Sequence, residues 1–212
     1  MVKISTSILS IRENLIKNIQ KLNNTTTDFI HLDIMDGKFV PNKTFMFDTI
    51  KDIYNNTSKI LDVHLMVENP LDYINEYKNI NPEYITIHYE VPNYKECIKE
   101  IKNNNIKAGI SIKPNTKVED IFDILDEVDL VLIMCVEPGY GGQKFINFSI
   151  DKIKTLKKYI LDHKLNVLIE VDGGINDQNA RICVESGADI LVSGSFITNN
   201  DNYQEQIYKL KK

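Results

Sequence analysis

Phe29-Ile30-His31-Leu32-Asp33-Ile34-Met35-Asp36-Gly37 is the stretch from which the fold can be read. An apolar run carries two residues with strong metal and proton chemistry, His31 and Asp33, at positions i and i+2. On a β-strand such residues point to the same face, so the imidazole and the carboxylate converge at the strand's end. Asp36-Gly37 then turns the chain away. The same logic recurs at Val63-His64-Leu65-Met66 and at Ile169-Glu170-Val171-Asp172-Gly173-Gly174. Three strand ends, each offering a ligand or acid/base side chain, predict one assembled site.

Working outward, short apolar runs alternate with amphipathic stretches along the whole chain. The strands are expected at Lys3–Leu9, Asp28–Asp33, Lys59–Leu65, Tyr84–His88, Lys107–Ile112, Leu130–Val136, Asn166–Val171 and Ile190–Ser193. The helices are expected at Ile11–Leu22, Phe47–Tyr54, Pro70–Asn79, Tyr94–Asn103, Val118–Leu125, Phe148–His163, Asp177–Glu185 and Asn202–Leu210. Pro70 suits a first helical turn after Asn69, and Asn176 can cap the helix that follows it. Near-continuous Ile, Leu and Val in the strands is the pattern of parallel strands covered by helices. Eight such βα units predict an α/β fold, a single (β/α)8 TIM barrel filling residues 1–212 with no linker. A doubly wound open sheet is the alternative, but no Gly-x-Gly-x-x-Gly follows the first strand.

Composition narrows the partners. With 42% hydrophobic and 26% charged residues, the chain is of ordinary globular type. A net charge of −5 argues against nucleic acid, and no apolar run nears the roughly 20 residues of a membrane span. The start, Met1-Val2-Lys3-Ile4, runs straight into a strand pattern rather than a signal peptide, so a cytoplasmic location is expected. Cys97, Cys135 and Cys183 lack metal-type spacing and read as buried, reduced thiols.

The chain has four histidines, and His31, His64 and His88 lie at or near C-terminal strand ends, the catalytic face of a barrel. A lone histidine there is ordinarily a hydrogen-bonded core residue. His31 and Asp33 share a face, however, His64 is on the next strand, and Asp172 faces them across the mouth. These four suit a borderline divalent ion, Zn²⁺, Fe²⁺, Co²⁺ or Mn²⁺. His88 is set outside the ligand group as a supporting residue, and His163 on the surface. Pro138-Gly139-Tyr140-Gly141-Gly142, Gly173-Gly174 and Gly194-Ser195 follow the last three strands. Glycine lets backbone N–H groups approach an anion, and the loops after strands seven and eight are the usual phosphate site of such barrels.

Six segments closely resemble the ribulose-phosphate 3-epimerase family: Thr6 to Ser10 (TSILS), His31 to Asn42 (HLDIMDGKFVPN), Asp62 to Pro70 (DVHLMVENP), Met134 to Phe145 (MCVEPGYGGQKF), Glu170 to Asn176 (EVDGGIN) and Gly187 to Ile197 (GADILVSGSFI). They span nearly the whole chain in the family's order. The resemblance implies a barrel of the ribulose-phosphate-binding type and interconversion of D-ribulose 5-phosphate with D-xylulose 5-phosphate in the pentose phosphate pathway. It implies His31, Asp33, His64 and Asp172 as metal ligands, Asp33 as general base and Asp172 as general acid. It also implies Ser7, His64 and Asp172 as substrate contacts, and Gly139, Tyr140, Gly141 and Gly142 as a closing loop. Gly173, Gly174, Gly194 and Ser195 match the phosphate cradle, and Met35, Met66 and Met134 a pocket lining. The chain departs from the family's pattern at Thr6, from Lys43 to Phe47 and from Phe196 to Thr198. Barrels of this kind associate through outer helices, so a homo-oligomer is expected.

The residue types fit that chemistry on their own terms. Epimerising a carbon beside a ketone removes a proton from one face and returns one to the other. Two acid/base groups on opposite sides are therefore required, and a cation stabilises the enediolate. Which aspartate holds the resting proton is open at this point. A hexulose 6-phosphate (allulose 6-phosphate) 3-epimerase would share the machinery, and a non-catalytic phosphate-binding barrel would not need the matched His and Asp sites. No Lys lies between His31 and Asp36, which disfavours decarboxylase and aldolase barrels.

Overall fold

The computed structural model describes residues 1–212. Eight parallel strands close into a barrel in chain order: β1 (Lys3–Ser7), β2 (Phe29–Met35), β3 (Ile60–Met66), β4 (Tyr84–His88), β5 (Lys107–Ile112), β6 (Leu130–Met134), β7 (Leu168–Asp172) and β8 (Ile190–Ser193). The helices are α1 (Leu15–Asn23), α2 (Phe47–Asn56), α3 (Pro70–Tyr77), α4 (Tyr94–Asn103), α5 (Ser149–Asp162), α6 (Ala180–Ser186), α7 (Ser195–Thr198) and α8 (Tyr203–Leu210). The expected barrel is present. No helix is long and apolar enough to cross a membrane.

Several local expectations need correction. The segment after β5 is a 3₁₀ helix, Val118–Ile124, not an α-helix. Its buried residues, Val118, Ile121 and Ile124, recur every three positions, the period of a 3₁₀ turn. The first helix starts at Leu15 rather than Ile11, because Asn14 takes a left-handed conformation with φ 52°. Pro70 does open α3 after Asn69, as expected, and the Asn69 side-chain amide donates to Asp72 Oδ2. The Asn176 side chain accepts from Gln178 N–H in a turn, and α6 begins only at Ala180. The four-residue α7 was not anticipated.

Alternation in the strands divides the interior in two. On β2, Ile30, Leu32 and Ile34 face outward into the main apolar core beneath the helices, together with Val63 and Leu65 of β3. Phe29, His31 and Asp33 face the lumen. The N-terminal end of the lumen is plugged by Phe29, Tyr84, Leu130 and Ile190 with Leu168, and the Phe29 and Tyr84 rings meet edge-on at 6.0 Å. The other end is polar. Register ties Asp33 to His64 and Thr86, and Ser7 to His31, Asp62 and Tyr84. Strand tilt thereby brings side chains of distant strands to one level.

Thr86 pairs with Gly109 across β4 and β5, and a Cβ added to Gly109 would lie 2.2 Å from Thr86 Oγ1 and 2.9 Å from Thr86 Cβ. Glycine is needed here for space. Gly109→Ala is therefore expected to destabilise the protein by about 1–3 kcal/mol in denaturant unfolding. Adding Thr86→Ala should recover part of that loss. A Gly109→Ala protein as stable as wild type would mean that the lumen has slack.

Candidate active site and metal centre

The C-terminal mouth of the barrel holds a cavity of about 340 Å³. Ser7, Asp33, Asp172, Met35, Met66 and Met134 line it, with Gly139 to Gly142, Gly173, Gly174, Gly194 and Ser195 around the rim. His31 and His64 do not line it; both are fully buried, 3.5 Å from Asp33 Oδ1. All the other site residues expected from sequence line this one cavity.

One ligand atom from each of His31, Asp33, His64 and Asp172 can be chosen so that all four lie within 4.8 Å of one another. Asp33 Oδ1 stands 3.5 Å from both His31 Nε2 and His64 Nδ1, and neither nitrogen has a hydrogen-bond partner. Two buried, unpartnered imidazole nitrogens aimed at two carboxylates form a donor set that fits a borderline divalent ion. The other Asp33 oxygen, Oδ2, accepts a 2.7 Å bond from the Ser7 hydroxyl.

Beneath these four residues lie two further carboxylates, Asp62 and Glu170, absent from the expected site. Asp62 Oδ2 is 2.6 Å from His31 Nδ1 and accepts from Ser5 Oγ at 2.7 Å. Glu170 is fully buried beside it with no hydrogen-bond partner recorded for either oxygen. The signal for both was available, since Asp62 precedes His64 by two residues and Glu170 precedes Asp172 by two, and each pair shares a strand face. Thr44, between Lys43 and Phe47, hooks onto the strand that carries His31 and Asp33. Its hydroxyl donates to Asp33 O at 2.6 Å and accepts from Met35 N–H at 2.9 Å.

The two aspartates differ in their surroundings. Burial opposes ionisation of Asp33, but the charge and bonding of His31 and His64 outweigh it and hold the carboxyl far below the usual range. Burial in the cavity wall and the charge on Asp33 push Asp172 up to about 7, with His31 opposing. Burial disfavours an imidazolium at His31, yet Asp62 and Asp33 raise its pKa well above the ordinary value. Burial and the neighbouring Asp62 raise Glu170 as well, which keeps it neutral.

The glycine loops dock on each other. Gly174 has φ +67°, and a Cβ there would lie 2.5 Å from Phe145 N and 2.8 Å from Gln143 O, so the loop after β7 packs backbone to backbone on the loop after β6. Gln143 Nε2 staples the β6 loop through Glu137 O at 2.6 Å and Tyr140 O at 2.9 Å, leaving the Tyr140 ring exposed. The N–H groups of Gly174, Gly194 and Ser195 are spent on no backbone carbonyl. No Lys or Arg lines the cavity.

A raised pKa at Asp172 has a consequence for stability. In the metal-free protein the folded state keeps a proton that the unfolded chain releases near pH 4, so this contribution falls as pH rises from about 4 to about 7. Asn does not titrate there. Metal-free Asp172→Asn should therefore gain on wild type across that window, by at most about 1.4 kcal/mol per pH unit in parallel denaturant titrations. A difference that stays flat with pH would contradict the raised pKa.

Comparison with known proteins bears on the same residues. The profile of the Ribulose-phosphate 3 epimerase family matches residues 3–198. A ribulose-phosphate 3-epimerase of Bacillus subtilis is 38% identical over 217 residues, covering 100% of this chain and 99% of that protein. A "Ribulose-phosphate 3-epimerase, cytoplasmic isoform" of Oryza sativa is 38% identical, covering 99% of this chain and 93% of that protein. A solved 3-hexulose-6-phosphate synthase superposes with a TM-score of 0.74 at 13% identity, covering 99% of this chain and 98% of that one, a likeness of fold. With its barrel closed around these residues and its relatives matched from end to end, the chain belongs to the ribulose-phosphate 3-epimerase family.

Proposed function

We propose that this enzyme interconverts D-ribulose 5-phosphate and D-xylulose 5-phosphate by exchanging the proton on C3, in the cytoplasm and within the pentose phosphate pathway. One observation carries the reading. Two carboxylates with opposite proton affinities, Asp33 on β2 and Asp172 on β7, face one cavity from opposite sides of the barrel. Groups whose surroundings drive their pKa values apart are how a site assigns base and acid.

Asp33 is held ionised and accepts the C3 proton, while the Ser7 hydroxyl fixes its Oδ2. Asp172, whose burial and proximity to Asp33 raise its pKa to about 7, returns a proton to the opposite face. For the reverse direction the two exchange roles. His31, Asp33, His64 and Asp172 would hold a divalent ion, which when bound supplies positive charge for the enediolate oxygens. Which of Zn²⁺, Fe²⁺, Mn²⁺ and Co²⁺ serves is a matter for metal analysis. Met35, Met66 and Met134 wall the cavity with apolar surface and limit water at the reacting carbon. The free N–H groups of Gly174, Gly194 and Ser195 would take the phosphate, and holding that end fixes C3 between the carboxylates.

Two measurements test this reading. Asp33→Asn and Asp172→Asn should each lower kcat by a factor of about 10² to 10⁴, and Asp33→Asn should also abolish exchange of solvent deuterium into C3 of ribulose 5-phosphate. Near-wild-type rates in both would remove the two-carboxylate mechanism. The ratio of kcat/KM for pentulose 5-phosphate over hexulose 6-phosphate should favour the pentulose, and the reverse would assign the longer sugar.

A further inference from the structure

Glu90 lies on the loop after β4, two residues beyond His88, its side chain 22% exposed. Its Oε2 is 3.0 Å from His88 Nδ1. The other nitrogen of His88, Nε2, is 3.0 Å from His64 Nε2. His64 Nδ1, at the far side of the second ring, is one of the unpartnered nitrogens of the ligand cluster.

With both rings neutral, these contacts allow one arrangement of protons. A carboxylate only accepts, so His88 must carry its proton on Nδ1. Neutral His88 then offers a lone pair at Nε2. His64 must donate to it from its own Nε2, which leaves Nδ1 as a bare lone pair. Both rings are fully buried, which disfavours an imidazolium in either. Glu90 is itself pinned. Burial works against its charge, but bonds from His88, Thr116 and the Lys113 N–H hold it ionised at about 2. The Phe39 ring packs on His88 at 4.7 Å.

We infer that Glu90 is a positioning residue of the metal centre: acting through His88, it fixes His64 in the Nε2–H tautomer and so keeps Nδ1 unprotonated towards Asp33, His31 and Asp172. Asp62, 2.6 Å from His31 Nδ1, holds a proton on that nitrogen, so that a metal displaces only the proton of His31 Nε2. Histidine ligands are commonly oriented by a carboxylate on the second nitrogen. Here that carboxylate acts across an intervening imidazole and sits in a different loop from any ligand. The inference rests on reading the cluster as a metal site.

Glu90→Gln tests the relay with little change of shape. Gln Oε1 is required by the Lys113 N–H, so the amide NH₂ must face His88 Nδ1 and donate to it. His88 then carries its proton on Nε2, donates to His64, and moves the His64 proton onto Nδ1. Long-range ¹H–¹⁵N spectra of the metal-free protein should show His64 protonated at Nε2 in wild type and at Nδ1 in Glu90→Gln. Zn²⁺ affinity from chelator competition should fall about 10- to 100-fold. Thr116→Val, which removes another bond to Glu90, should leave the His64 tautomer in place. Wild type with His64 protonated at Nδ1, or a folded Glu90→Gln with unchanged tautomer and Zn²⁺ affinity, overturns the relay alone. A wild type that binds no Zn²⁺ overturns the metal reading and the relay with it. The wild-type spectrum decides the first point even where the variant fails to fold.

Discussion

His31 is an imidazole held between two carboxylates inside a barrel, and the upper half of the lumen is organised around that contact. Asp62 grips it at 2.6 Å and Asp33 faces it at 3.5 Å. A charge buried without a partner costs far more than folding can spare, so each ionised group here needs an opposing one. Ser5 bonds to Asp62, Ser7 bonds to Asp33, and Glu170 keeps its proton and adds no charge. With Asp33 and Asp62 ionised and His31 as the one cation among them, the lumen keeps an excess of negative charge. That excess, together with two unpartnered imidazole nitrogens, is what gives a dication a reason to bind there.

The barrel's geometry makes this arrangement possible. Its N-terminal half is closed by Phe29, Tyr84, Leu130 and Ile190, so polar groups occupy only the end that opens to the cavity. Strand tilt then sets residues of β2, β3 and β7 against one another without any loop having to place a ligand. Asp33 and Asp172 therefore ride on strands of the closed barrel, while the glycine loops after β6, β7 and β8 form the rim of the cavity. Thr44 joins the two classes, a loop residue bonded to the backbone at both Asp33 and Met35.

Much of this could be read in the chain beforehand, and the limits have physical causes. Period-two spacing in the β2 segment identified the strand, its inward face and two members of the His/Asp cluster together. The barrel followed from repetition of the βα unit. The segment from Val118 to Ile124 deceived because apolar residues three apart fit an α-helical face as well as a 3₁₀ helix. The four residues of α7 are too short to leave a periodic signal. Asp62 and Glu170 were legible by the i, i+2 rule but lay hidden in runs read as apolar strand. Glu90 left no signal, because its link to His64 passes through a side chain on another strand. Contacts of that kind depend on register, which a single sequence does not display.

The cavity offers no lysine or arginine to an anion, only main-chain N–H groups at one end and, at the other, carboxylates and imidazoles that favour a cation. Those two ends are not interchangeable. A diol placed at Gly174 and Ser195 finds donors but no proton acceptor for its chemistry, and a molecule lying head for tail would carry its reacting carbon away from Asp33 and Asp172 whether or not a cation is held there. The cavity therefore has a direction. Because fixed dipoles rather than mobile ammonium groups mark the donor end, that sense of direction is built into the backbone and survives most exchanges of side chain around the rim.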